Sequence, residues 1–139
     1  MIAGNITVEV NVDAGIEKVW DYWTLPEHIE HWNFASDDWE CPFAENDLMP
    51  GGAFSYKMAA KDGSMEFQFE GIYDEVIPHE LIQYTLGDGR KVRVEFQSKG
   101  KTTHVIETFE PEEVNTLELQ RTGWQAILDN FRKYLEEKQ

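Results

Sequence analysis

The chain contains a single cysteine, Cys41. That excludes an internal disulfide and any zinc site built on Cys-x-x-Cys pairs. Basic residues are scarce: 12 Lys and Arg face 27 Asp and Glu, a formal net charge of −15. Such a surface repels phosphate backbones and anionic lipid, which argues against nucleic-acid and membrane-surface partners. Long apolar runs are missing as well. None approaches the ~20 residues of a membrane span. The N-terminus lacks a charged stretch leading into an apolar one, so no signal peptide and a cytoplasmic location are expected. With no linker, repeat or low-complexity tract, the 139 residues are expected to form a single domain, 1–139, with its own core.

Aromatic residues, by contrast, are abundant: 5 Trp, 8 Phe and 5 Tyr, 13% of the chain. Each can bury roughly 150–250 Å². The core is therefore bulky, or wrapped around something.

Ile6-Thr7-Val8-Glu9-Val10-Asn11-Val12 alternates with period two, as a strand with one buried face does. Asp13 is suited to cap a helix carrying Ile16, Val19, Trp20 and Trp23 as an apolar stripe. Thr24-Leu25-Pro26-Glu27 then reads as a new helix start, with Thr24 as N-cap and Glu27 as its capping-box partner. The segment from His31 to Gly52 looks too irregular for helix or strand. After it, five alternating runs follow: Ala53–Ala59, Glu66–Val76, Leu81–Leu86, Lys91–Gln97 and Thr102–Phe109. Lys61-Asp62-Gly63, Gly87-Asp88-Gly89 and Lys99-Gly100 fit hairpin connections between them. A long final helix is expected from an N-cap at Asn115, with Trp124, Ile127, Leu128, Phe131, Tyr134 and Leu135 on one face. Gly123 sits in that helix at a cost of about 1 kcal/mol against Ala. It reads either as a tolerated glycine or as close approach of the helix to the sheet or to a cavity.

This order predicts an α+β fold. A curved antiparallel sheet of about six strands would wrap the long C-terminal helix, with two short helices between strands 1 and 2.

The order and several local motifs resemble the helix-grip proteins of the START/SRPBCC superfamily. Within it, the chain is similar to bacterial single-domain homologues of the activator of the ninety-kilodalton heat-shock chaperone's ATPase. The markers are Val19-Trp20, Pro26-Glu27-His28 through Trp32, Asp47-Leu48, and Gly51-Gly52 with Phe54. Further along come Gly71-Ile72-Tyr73-Asp74-Glu75-Val76, Thr108-Phe109-Glu110 and Gly123-Trp124-Gln125-Ala126-Ile127-Leu128. The resemblance implies a hydrophobic ligand cavity. The full eukaryotic cochaperone has an additional N-terminal domain that a chain of this length does not hold, so a chaperone partner is not carried over. Fold alone does not assign function in a superfamily that includes lipid carriers, cyclases and cochaperones.

Candidate chemistry is sparse. His28 and His31 have His-x-x-His spacing, and Asp37, Asp38 and Cys41 lie within reach in sequence. No distinctive zinc pattern supports them, so neither a metal nor a cofactor is expected. Asp37 and Asp38 read as residues that fix a loop by bonding nearby N–H groups. Cys41 reads as a small buried apolar residue. Glu107 stands apart. On the last strand it shares a face with Thr103, Val105 and Phe109, which would bury a carboxylate and raise its pKa. The opposite phase turns His104, Ile106 and Thr108 inward and frees Glu107.

The strongest collective signal is aromatic. Phe54, Tyr56, Phe67, Phe69, Tyr84, Phe96 and Trp124 are expected to face one another between sheet and helix, with Trp32 and Trp39 at the mouth. Tyr56 and Tyr84 would orient a polar ligand group. A small apolar or amphipathic molecule is the expected partner, and binding is favoured over catalysis. The alternatives are a cyclase or hydrolase using Glu107, Tyr56 or His104 in the cavity, and a chaperone cofactor. Exposed strand edges also permit a homodimer.

Overall fold

The computed structural model describes residues 5–137. Ile6–Val12 forms β1, buried at every second residue. Two helices follow, α1 (Ile16–Thr24) and α2 (Pro26–Ile29), and then six strands: β2 (Trp39–Asn46), β3 (Ala53–Ala60), β4 (Glu66–Ile77), β5 (Leu81–Leu86), β6 (Lys91–Ser98) and β7 (Thr103–Phe109). The long α3 (Leu117–Glu137) ends the described chain.

The strands make one antiparallel sheet in the order β1-β7-β6-β5-β4-β3-β2. From β2 to β7 it is a meander, and β1 pairs with the last strand. Glycines at positive φ close three of the hairpins: Gly63 at 80°, Gly89 at 94° and Gly100 at 82°. These are dihedrals that a side chain strongly disfavours. Register shifts between Glu40 and Phe43, and between Tyr73 and Glu75, mark bulges that deepen the curl of the sheet.

The sheet has seven strands rather than about six. The additional one, β2, comes from the irregular-looking segment, where Cys41 and Ala44 turn inward across the bulge. Pro42 and the bulge break the period-two pattern that would have revealed it.

The caps also differ from expectation. Gly15, not Asp13, precedes α1 and makes no side-chain cap. Leu25 takes the N-cap position of α2, because the Thr24 hydroxyl donates back to the Trp20 carbonyl at 2.8 Å. Thr116, not Asn115, caps α3: its Oγ1 accepts from the Leu119 N–H at 3.1 Å. Asn115 is bound instead to the Glu112 carboxylate.

Helix α3 lies against the inner face through Leu128, Phe131 and Leu135, all fully buried. It also fastens to the edge strand β1. The Arg121 guanidinium donates to the Thr7 carbonyl at 2.8 Å, and the Gln125 carboxamide donates to the Glu9 carbonyl at 3.1 Å. Main-chain acceptors that an open edge would present to another chain are thereby occupied. On the opposite edge, the Ala44 N–H of β2 donates to the Glu30 carboxylate.

Candidate functional site: an aromatic cavity with one buried carboxyl

Sheet and helix do not close completely on each other. Between them lies a cavity of about 330 Å³, near the lower end of the ~300–1,000 Å³ typical of small-molecule pockets. Alternation along the strands decides its walls. β3 contributes Phe54, Tyr56 and Met58; β4 contributes Phe67, Phe69 and Tyr73; β5 contributes Ile82 and Tyr84. The helix contributes Gly123, Trp124 and Ile127, and the helical end is closed by Trp23, Trp32 and Asn33.

The rings brace one another. Phe54 lies 4.9 Å from Tyr84, 5.1 Å from Tyr56 and 5.2 Å from Tyr73 between centroids. Trp124 stacks on Phe109 at 3.9 Å and meets Phe69 edge-on. Trp32 is locked by its indole N–H, which donates to the Tyr22 carbonyl, and by Phe131 at 4.9 Å. Burial holds the Tyr56 and Tyr84 hydroxyls well above the usual phenol range, so both remain protonated donors.

One wall carries a charge-capable group. Phase places Thr103, Val105, Glu107 and Phe109 of β7 inward and His104 outward. Glu107 is only 6% exposed and lines the cavity. Its cross-strand neighbours are Val8 on β1 and Val94 on β6, so nothing polar flanks it within the sheet. Desolvation lifts its pKa from 4.5 to about 8, and no hydrogen bond or ion pair from a described residue lowers it. Tyr84 on β5 is near enough to feel its charge.

Seven of the nine aromatic residues expected around a cavity are brought together: Trp32, Phe54, Tyr56, Phe67, Phe69, Tyr84 and Trp124. Two are not. Phe96 is buried one row further along the sheet, opposite Val105 and packed edge-on against Trp20 and Trp23. Helix α1 covers that row, so Phe96 belongs to the solid core. Trp39 sits at the start of β2, outside the lining, with its ring edge-on to Phe67 at 5.9 Å. His104 is also displaced from any role inside. On the outer face its Nδ1 lies 2.6 Å from the Asn11 side chain and its Nε2 2.9 Å from Glu9.

The surrounding geometry matches known proteins closely. A model for the family described as "Activator of Hsp90 ATPase homolog 1-like protein" matches residues 13–136. The chain belongs to this family. A Cytophaga hutchinsonii protein of known solution structure is 56% identical, with a TM-score of 0.84 over 98% of this chain and 94% of that one. An AHSA1-like protein from Aeromonas hydrophila is 40% identical, with a TM-score of 0.87 over 96% of this chain and 94% of that one. A Nitrosomonas europaea protein at 18% identity and a TM-score of 0.83, over 99% of this chain and 98% of that one, shares the fold. No curated protein matches the chain.

In this AHSA1-like domain the rim is polar where the β5–β6 turn and the β7–α3 connection meet. Arg90, Glu112, Asn115 and Gln120 all border the opening. Arg90 is held by Asp88, whose carboxylate accepts from its Nε at 2.8 Å and from its main-chain N–H at 3.1 Å. Gln120 fastens the connection. Its Nε2 donates to the carbonyls of Glu112 and Asn115, and its Oε1 accepts from the Glu112 N–H. Arg90, Glu112 and Asn115 lie in connections, where no periodicity announces them, and Gln120 lies in the first turn of α3. Tyr73 and Ile82 could have been found, since they share the strand phase of Phe69 and Tyr84.

Of the remaining candidates, His28, His31 and Cys41 have structural partners. The His28 ring stacks on Tyr22 at 3.9 Å, and its Nδ1 lies 2.9 Å from the Tyr134 hydroxyl. His31 stacks on the other side of the group, against Tyr134. Cys41 is buried, its thiol donates weakly to the Phe43 carbonyl, and burial pushes its pKa up to about 11. Asp37 and Asp38 lie exposed in a turn closed by the Trp39 N–H on the Ser36 carbonyl.

Proposed function

We propose that this domain binds a small amphipathic molecule in the cavity between sheet and C-terminal helix. The observation that carries the reading is the cavity itself. A volume of about 330 Å³ is kept open between two elements whose other contacts are tightly packed. Gly123 contributes to it directly: a Cβ built there meets no atom within 4 Å. The lining is predominantly apolar and aromatic, with tyrosine hydroxyls and the buried Glu107 carboxyl among its polar groups and Arg90, Glu112, Asn115 and Gln120 at one end, the composition expected of a ligand site. Tyr56 and Tyr84, braced by neighbouring rings, supply hydrogen bonds without a large ordering cost on binding.

A two-dimensional ¹H–¹⁵N titration with fatty acids, alkyl alcohols and aromatic amines tests this. Shifts concentrated on Gly123, Tyr84 and the Trp124 indole are expected. A panel in which no compound moves those signals removes the reading's support.

A further inference from the structure

The polar groups of the cavity are unevenly distributed by charge. Glu107 is on the inner wall, almost fully buried, with Val8 and Val94 on either side. Burial is the cause of its raised pKa, with no hydrogen bond or ion pair from a described residue lowering it. The cavity it lines is walled by aromatic rings: Tyr84 from β5, near enough to feel its charge, and Trp124 from α3, with Phe69 and Phe54. Of the helix residues lining the cavity, Leu119, Gln120, Gly123, Trp124 and Ile127, none carries a charge. The lining's cation, Arg90, stands at the rim and is already matched by Asp88. A second carboxylate, Glu112, is at the same rim.

A buried carboxyl in an aromatic-walled cavity is the arrangement that receives organic cations, through Coulomb attraction and through the negative faces of the rings. It offers a fatty-acid carboxylate no free cation, since the guanidinium of the lining, Arg90, is already matched by Asp88. The net charge of −15 acts in the same direction, drawing cations in and repelling anions. We propose that the ligand is an organic cation, an ammonium group on an apolar body, with its charge seated against Glu107. The proposal rests on the binding reading above and adds the chemical class to it.

Burial keeps Glu107 largely protonated at neutral pH, since its pKa lies at about 8. A permanent cation favours the ionised form, so binding sends the Glu107 proton to solvent. Affinity for such a ligand therefore rises with pH below 8, approaching roughly tenfold per unit.

Three probes of matched chain length separate the outcomes: decyltrimethylammonium, decanol and decanoate. The ammonium has no titratable proton, so its pH profile reports on the protein alone. It is expected to bind at least tenfold more tightly than decanol at pH 7.5, and more tightly at pH 8 than at pH 6. In Glu107→Gln the pH dependence should vanish and the preference over decanol should fall at least tenfold. The wild-type pH profile stands as an independent reading should the variant fold poorly. Gly123→Leu should block all three probes, which separates binding in the cavity from attraction to the acidic surface. If decanol or decanoate shifts the cavity signals with equal or higher affinity, or the ammonium binds Glu107→Gln undiminished, the cation assignment is overturned and the cavity remains a binding site. If no probe moves those signals, the binding reading fails with it.

Discussion

The Phe54 ring lies over Gly71, its partner across the β3–β4 pair. A Cβ at position 71 would come within 3.0 Å of two Phe54 ring carbons and run into the Thr85 carbonyl oxygen. The glycine thus lets a large ring lie flat on the sheet at the cavity wall. Gly71→Ala must displace either the ring or the β5 backbone, and overpacking of this kind costs about 1–3 kcal/mol. Urea denaturation should show a lower midpoint for Gly71→Ala. An unchanged midpoint would contradict this placement of Phe54.

Gly123 has the opposite surroundings. Because nothing lies within 4 Å of a Cβ built there, Gly123→Ala should gain helix propensity without a clash and stabilise the domain by about 1 kcal/mol. Gly123→Leu should extend into the cavity and reduce its volume. Thermal unfolding of both variants, with probe binding to the second, checks the pair. A destabilised Gly123→Ala would mean that the helix sits closer to the sheet than described.

Glu107 makes stability depend on pH in an unusual direction. Its pKa is 4.5 without burial and about 8 in the folded chain. Between those values the folded state holds a proton that the unfolded state has released. Its contribution therefore weakens as pH rises from about 4.5 through 8, by a few kcal/mol across the window. Glu107→Gln should show a flatter stability profile than wild type over pH 5–8 and a higher midpoint at pH 8. Parallel profiles for the two proteins would rule out a buried, unpaired carboxyl at this position.

Gln120 ties the β7–α3 connection at three main-chain points, the Glu112 N–H and the carbonyls of Glu112 and Asn115. Gln120→Ala leaves those groups to find water, at about 1–3 kcal/mol. The rim should loosen before the rest of the fold. Faster amide exchange at Glu112, with β6 amides still protected, is the expected signature. Uniform loss of protection would instead make Gln120 a global core residue.

The sequence by itself determined the fold class, most of the strands and the inward face of most walls. Alternation in β1, β3, β5, β6 and β7 is a local property of the chain, and one buried face makes it unambiguous. The apolar stripe of α3 is equally local. The same logic put Glu107 on a buried face beside Val105 and Phe109, though the register of one strand left His104 as its rival. Tertiary structure chose between them, because β1 and β6 flank β7 in one register that turns His104 to solvent.

Packing also decided which aromatics line a cavity and which fill a core. Phe96 and Tyr84 have the same inward phase, yet α1 covers the first and leaves space before the second. That difference depends on where a helix from the start of the chain crosses the sheet, which no local pattern encodes. The rim was beyond reach for the same reason. Arg90 and Glu112 lie in two connections far apart in the chain and Gln120 in the first turn of α3, and only the curl of the sheet around α3 brings them to one opening.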